Sequence, residues 1–111
     1  MILEELLLLG FKPHTVGTLD TQEALFLLLT GKEEQEDLLH GLYEAVARKR
    51  NTTAKAVERN IRYSIETTWT KGNLPALEAR FGYTVLADKG KPTNRAFLAQ
   101  MIEVLKRKRT A

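Results

Sequence analysis

Residues 48–69 read RKRNTTAKAVERNIRYSIETTW. Ala54, Val57, Ile61, Ile65, Thr68 and Trp69 fall on one helical stripe, so a helix starting near Ala54 and running to about Trp69 buries that side. Its other side then carries Lys55, Glu58, Arg59, Arg62, Tyr63 and Glu66. Upstream, from Asp37 to Arg50, the residues Leu38, Leu42, Tyr43, Val46 and Ala47 recur at helical spacing and give a preceding helix one apolar face. Asn51 breaks that pattern. Asparagine tolerates the left-handed backbone of a tight turn, and Thr52 or Thr53 can cap the next helix by accepting a free backbone N–H. Two such helices across a short turn have the form of a helix-turn-helix with its reading head at about 37–70, the second helix being the one that enters the major groove of DNA.

An outward charged face has a plain explanation, since any surface helix is solvated by its charges. The sharper explanation is recognition: Arg59 and Arg62 stand three apart on one exposed face, and arginine is the side chain that binds guanine bidentately. The charge distribution favours the second. The chain has 17 basic and 14 acidic residues, a net charge of +3 that hides a strong asymmetry. Residues 1–47 hold two lysines against nine carboxylates, a net −7, whereas residues 48–111 hold fifteen lysines and arginines against five carboxylates, a net +10. The sign changes where the proposed reading head begins. A positive surface draws in phosphate backbone whatever the base sequence, and the acidic remainder limits indiscriminate binding to polyanions.

At 111 residues, 43% of them hydrophobic, the chain has room for one compact domain spanning 1–111 with a single core. It contains no cysteine, which excludes disulfides and thiolate metal sites. The apolar run Leu6–Leu9 is too short to span a bilayer, and Glu4 and Glu5 precede it where a signal peptide would be basic. The expectation is a soluble cytoplasmic protein.

Six helices and no convincing strand follow from the pattern, an all-α, six-helix, bundle-like domain. The first covers Ile2 to Leu9 and stops at Gly10 and Pro13. The second covers Asp20 to Thr30, capped by Asp20 or Thr21, with Leu25, Leu28 and Leu29 inward and Gly31 as the stop. The third and fourth form the reading head. Asn73 caps a fifth that runs to about Phe81, ended by Gly82. A loop from Gly82 to Pro92 contains a β-like triplet, Tyr83–Val85, and the basic stretch Lys89-Gly90-Lys91. Thr93 or Asn94 then caps a last helix with Phe97, Leu98, Met101, Ile102 and Leu105 inward, finishing in Lys106-Arg107-Lys108-Arg109, where cations offset the helix dipole.

Other chemistry finds little support. His14 and His40 lie far apart without carboxylates at metal-ligand spacing, so neither a metal nor a catalytic site is expected, and His14 suits a backbone bond in the bend after the first helix. Glu33, Glu34, Glu36 and Asp37 fit the positive end of the third helix's dipole better than a metal cluster. No glycine-rich phosphate loop or activated nucleophile is present, so no cofactor and no enzyme activity is expected. Trp69, on the apolar stripe, is expected to anchor the core rather than stack on a base.

The motifs Asn51-Thr52-Thr53-Ala54, Val57-Glu58-Arg59, Ile61-Arg62, Ile65-Glu66, Trp69, Gly72-Asn73, Phe81-Gly82-Tyr83-Thr84-Val85 and Lys91-Pro92-Thr93-Asn94 resemble the C-terminal effector domains of the stage-zero sporulation response regulators. The match continues upstream through Gly10, His14, Gly17, Glu23-Ala24 and Leu42-Tyr43, so it covers nearly the whole chain. The resemblance implies a six-helix domain with Glu58, Arg59 and Arg62 in the major groove, head-to-tail pairing of two copies on tandem DNA sites, and contact with an RNA polymerase sigma factor near the fifth helix, where Glu78 and Arg80 are the exposed charges. It also implies a receiver domain upstream, so the chain fits either an excised effector domain or a receiver-less regulator. There are departures. Lys55-Ala56 stand where the family usually has serine then arginine, and Tyr63 where it usually has histidine, so the DNA site or its phosphate contacts are expected to differ.

The function expected is therefore sequence-specific binding of double-stranded DNA by a sporulation-type transcription regulator. Arg59 and Arg62 read base edges, and Glu58 takes a cytosine amino group or orients an arginine. Thr52, Thr53, Lys55 and Tyr63, with Lys89, Lys91, Thr93 and Asn94 from the basic loop and the last helix's start, hold the phosphate backbone. The alternative is a helical interaction module that occupies a sigma factor or pairs with the full-length regulator without touching DNA.

Overall fold

The computed structural model describes residues 1–31, 38–82 and 90–110. Among them lie six helices: α1 (Ile2–Leu9), α2 (Val16–Leu29), α3 (Leu38–Arg50), α4 (Ala54–Lys71), α5 (Leu74–Phe81) and α6 (Asn94–Thr110). The expected Tyr83–Val85 triplet, Lys89 and the acidic cluster at 33–37 fall outside the described residues.

Helix α4 is the central element, packed against α2, α3 and α6. It buries Val57, Ile61, Ile65 and Thr68, and α3 buries Leu42, Tyr43, Val46 and Ala47 against it, so these members of both predicted apolar stripes face the core. From α6, Phe97, Leu98, Met101, Ile102 and Leu105 complete that core. An aromatic cluster closes one end: the Trp69 ring meets Phe81 edge-on at 5.0 Å, and Phe81 stacks on Phe97 at 5.5 Å. Such contacts are worth about 0.5–1.5 kcal/mol each beyond area burial, and they give Trp69 the core role expected of it.

The second helix begins four residues earlier than its sequence suggests. Thr15, not Asp20 or Thr21, is its cap, with the side-chain oxygen accepting the Thr18 N–H at 3.2 Å. Gly17 and Thr18 have poor helix propensity and hid this start, yet tertiary packing requires them: a Cβ on Gly17 would fall 1.8 Å from Ser64 Oγ and 2.6 Å from the Asn60 carbonyl. The missing side chain lets α2 cross α4 at close range. Asp20 consequently lies inside the helix and is buried rather than capping. A second close approach joins Gly10, at φ 116°, to Gly72, where Asn73 donates its backbone N–H to the Leu9 carbonyl at 2.9 Å. That contact fixes the start of α5 on the end of α1.

Candidate nucleic-acid interface

Helix α3 ends at Arg50 and α4 starts at Ala54, leaving a turn of three residues. Asn51 adopts φ 60°, the left-handed conformation its residue type tolerates. Thr52 donates its N–H to the Ala47 carbonyl at 2.9 Å, and Thr53 caps α4 by accepting the Ala56 N–H at 3.1 Å. Both threonines are exposed. The local chemistry of the turn thus follows from the residues in it, and α4 leaves it with the predicted face outward.

On that face Lys55, Arg59, Arg62 and Tyr63 are exposed, and Glu58 and Glu66 are partly so. Arg62 grips the Glu58 carboxylate with two bonds, Nε to Oε2 at 3.0 Å and Nη2 to Oε1 at 3.3 Å. Those bonds hold the Arg62 guanidinium above its ordinary value, so it stays charged. The same guanidinium lies 5.5 Å from the centre of the Tyr63 ring. Glu58 therefore orients Arg62 in the free protein. Arg59 takes part in no ion pair among the described residues.

Beside α4 the segment leading into α6 forms the other wall of a cleft of about 670 Å³, lined by Tyr43, Glu58, Arg62, Glu66, Lys91 and Thr93 among others. Lys91 is exposed and its Nζ stands 3.8 Å from Glu66 Oε2. Thr93 is exposed and caps α6 by accepting the Ala96 N–H at 3.1 Å. Asn94 differs from expectation. Its side chain is not turned outward toward a phosphate but buried, donating to Tyr43 Oη and to the Glu58 carbonyl. The first residue of α6 faces the core because α6 packs on α4 there.

The fifth helix carries a second correction. Glu78 is exposed as expected, but Arg80 is only 14% exposed, with Nε bonded to Glu5 Oε1 at 2.9 Å and Nη1 to the Ala76 carbonyl. Glu5 lies on the side of α1 that packs against α5, and a cation satisfied there is not offered to a partner. Lys108 supplies a second cation to Glu5 at 3.3 Å.

Residues whose role the sequence pattern did not reveal hold the reading head in place. Asp20 accepts Arg50 Nε at 2.9 Å and Asn60 Nδ2 at 3.1 Å, so one buried carboxylate ties the end of α3 and the middle of α4 to α2. No local signal marks this arrangement, because its members lie 30 and 40 residues apart. Among the described residues no group of histidines and carboxylates could hold a metal ion, and no helix is long and apolar enough to cross a membrane.

The family model described as sporulation initiation factor Spo0A C terminal matches residues 2–105, nearly the entire chain.

Proposed function

The chain belongs to the C-terminal, DNA-binding domain family of sporulation initiation factor Spo0A, and from that premise we propose that it is a sequence-specific, double-stranded DNA-binding regulator that reads the major groove with the outward face of α4. The family is one of transcription regulators and not a class of enzymes. The observation that carries the reading is the common exposure of Lys55, Arg59, Arg62 and Tyr63 on one face of a helix capped directly after a three-residue turn. Arg59 and Arg62 meet base edges, and Glu58 aligns Arg62 and can accept from a cytosine amino group. Thr52, Thr53, Lys55 and Tyr63 lie along one strand. Lys91 and Thr93 hold the backbone on the other side of the cleft, joined in that role by Lys89, two residues before Lys91 in the sequence.

One recognition helix covers a short half-site, so two copies in direct tandem supply useful specificity. The exposed side of α5 with Glu78 stays clear of α4's outward face and suits a contact with a polymerase sigma factor. Arg80, held by Glu5, supports that surface from within.

Selection of bound duplexes from a random pool, followed by titration of the selected site at several salt concentrations, tests the reading. A defined site should emerge, and log affinity should fall linearly with log salt with a slope of roughly −3 to −6 as phosphate contacts release counterions. Absence of a selected sequence together with a slope near zero sinks it.

A further inference from the structure

The floor of the cleft beside α4 is closed by a polar contact that none of the DNA-facing roles uses. Asn94 is 8% exposed, and its Nδ2 donates to Tyr43 Oη at 3.0 Å and to the Glu58 carbonyl at 3.2 Å. One amide thus joins the middle of α3, the reading stretch of α4 and the first residue of α6. Tyr43 is also 8% exposed, and burial pushes its phenol above the ordinary value, so it remains a neutral hydroxyl at the junction. Buried polar groups that satisfy one another admit little variation in geometry, because moving one member strands the others without water. The two walls above this floor are the two halves of the DNA-binding surface. One wall carries Glu58 and its partner Arg62, and the other carries Lys91 and Thr93, whose cap bond stiffens the segment. The amide is bonded to the backbone of Glu58 itself, the residue whose side chain orients Arg62.

We infer that Asn94 and Tyr43 are positioning residues which fix the distance between the base-reading side chains of α4 and the phosphate-holding segment at 91–93. A strand anchored at Lys91 then presents its bases in register with Glu58 and Arg62. The inference rests on the DNA reading above. It assigns part of the sequence specificity to two side chains that meet neither base nor phosphate. A site held loosely by its supporting residues retains binding and loses discrimination.

The test uses fluorescence anisotropy with two probes, the duplex selected by the wild-type protein and a scrambled duplex of the same composition. Tyr43→Phe deletes only the hydroxyl and should weaken the selected duplex by roughly threefold to tenfold, the worth of one buried hydrogen bond, while changing the scrambled duplex by less than about twofold. Asn94→Ala should act in the same direction and more strongly. A double-substitution cycle with Arg62→Ala, read on the selected duplex, separates positioning from general loosening. If Asn94 acts by holding the base-reading side chains in register, then Arg62→Ala should cost little more once Asn94 is alanine, whereas independent sites would multiply their effects. Should Asn94→Ala fail to fold, the Tyr43→Phe and Arg62→Ala pair carries the same cycle. Equal losses on both duplexes, or an undiminished Arg62→Ala effect in the altered background, overturn the inference while leaving the DNA reading intact. Failure of the wild-type protein to distinguish the two duplexes removes both.

Discussion

The Arg62–Glu58 and Arg80–Glu5 pairs join the same side chains at nearly the same distance, 3.0 and 2.9 Å, and differ in their surroundings. On α4 the arginine and glutamate side chains are 46% and 38% exposed, whereas between α1 and α5 they are 14% and 8% exposed. In water an ion pair contributes little, so its members can exchange partners when a base or phosphate arrives. Out of water, separating the pair leaves a charge without solvent or counterion, and the pair becomes a fixture of the fold. Burial thus separates the charges this molecule can lend from those it keeps for itself. Sequence supplies a glutamate and an arginine in both places, and burial decides their use.

Loss of the buried pair should be felt in folding stability far more than loss of the exposed one. Arg80→Ala strands Glu5 with Lys108 alone and should cost about 2–4 kcal/mol of folding stability by urea denaturation. Arg62→Ala should cost less than about 0.5 kcal/mol in the same assay. Equal costs would remove the distinction. The buried pair should also show in acid. Burial pushes the Glu5 carboxyl up, but the bonds and charges of Arg80 and Lys108 outweigh it and hold it below its ordinary 4.5. A carboxyl depressed in the folded state gives its full stabilisation above the unfolded value and loses it as pH falls through the folded one. The stability gap between wild type and Glu5→Gln should therefore be widest above pH 4.5 and narrow in more acidic buffer.

The exposed face should respond in binding instead. Arg59→Ala should cost about 1–3 kcal/mol on the selected duplex and far less on a scrambled one, because a bidentate guanine contact is lost only where the guanine is. Lys91→Ala should weaken both duplexes about equally and lower the magnitude of the salt slope by about one. Equal losses on both duplexes for Arg59→Ala would make it a phosphate clamp and move the reading face elsewhere.

Legibility in the sequence followed the range of the interactions. The α3–turn–α4 stretch is governed by neighbours: the apolar stripes, the left-handed Asn51 and the Thr53 cap all act within a few residues, and the structure has them as expected. The exposure of Lys55, Arg59, Arg62 and Tyr63 follows from the same periodicity. Three features were not legible, for one shared reason. The start of α2 at Val16 depends on how Gly17 meets Ser64, the inward turn of Asn94 depends on Tyr43, and the loss of Arg80 from the surface depends on Glu5. Each partner is more than forty residues distant, and a local pattern records exposure only where nothing remote packs over it. Asp20 illustrates the point: its residue type suits a helix cap, but its partners Arg50 and Asn60 arrive only with the tertiary fold.

On the exposed side, a second glutamate of α4 should have a measurable but small effect on DNA affinity. Glu66 lies on α4 with its carboxylate 3.8 Å from Lys91, and like Glu58 it places negative charge where the proposed interface meets phosphate. If the exposed pairs are on loan, Glu66 competes with DNA for Lys91 and also repels the approaching strand. Glu66→Gln removes both effects and keeps the side chain's size. Because an exposed pair is worth only a few tenths of a kcal/mol, affinity should rise by about twofold. The rise should be nearly the same on selected and scrambled duplexes, since phosphate is common to both. It should also fade as salt shortens the Debye length to about 8 Å and below, which distinguishes a charge effect from a repacked helix. Anisotropy titrations of both duplexes at low and high salt measure it. A lower affinity in Glu66→Gln would mean that the carboxylate holds Lys91 in its working position, so that this exposed pair, like the buried one, is kept and not lent.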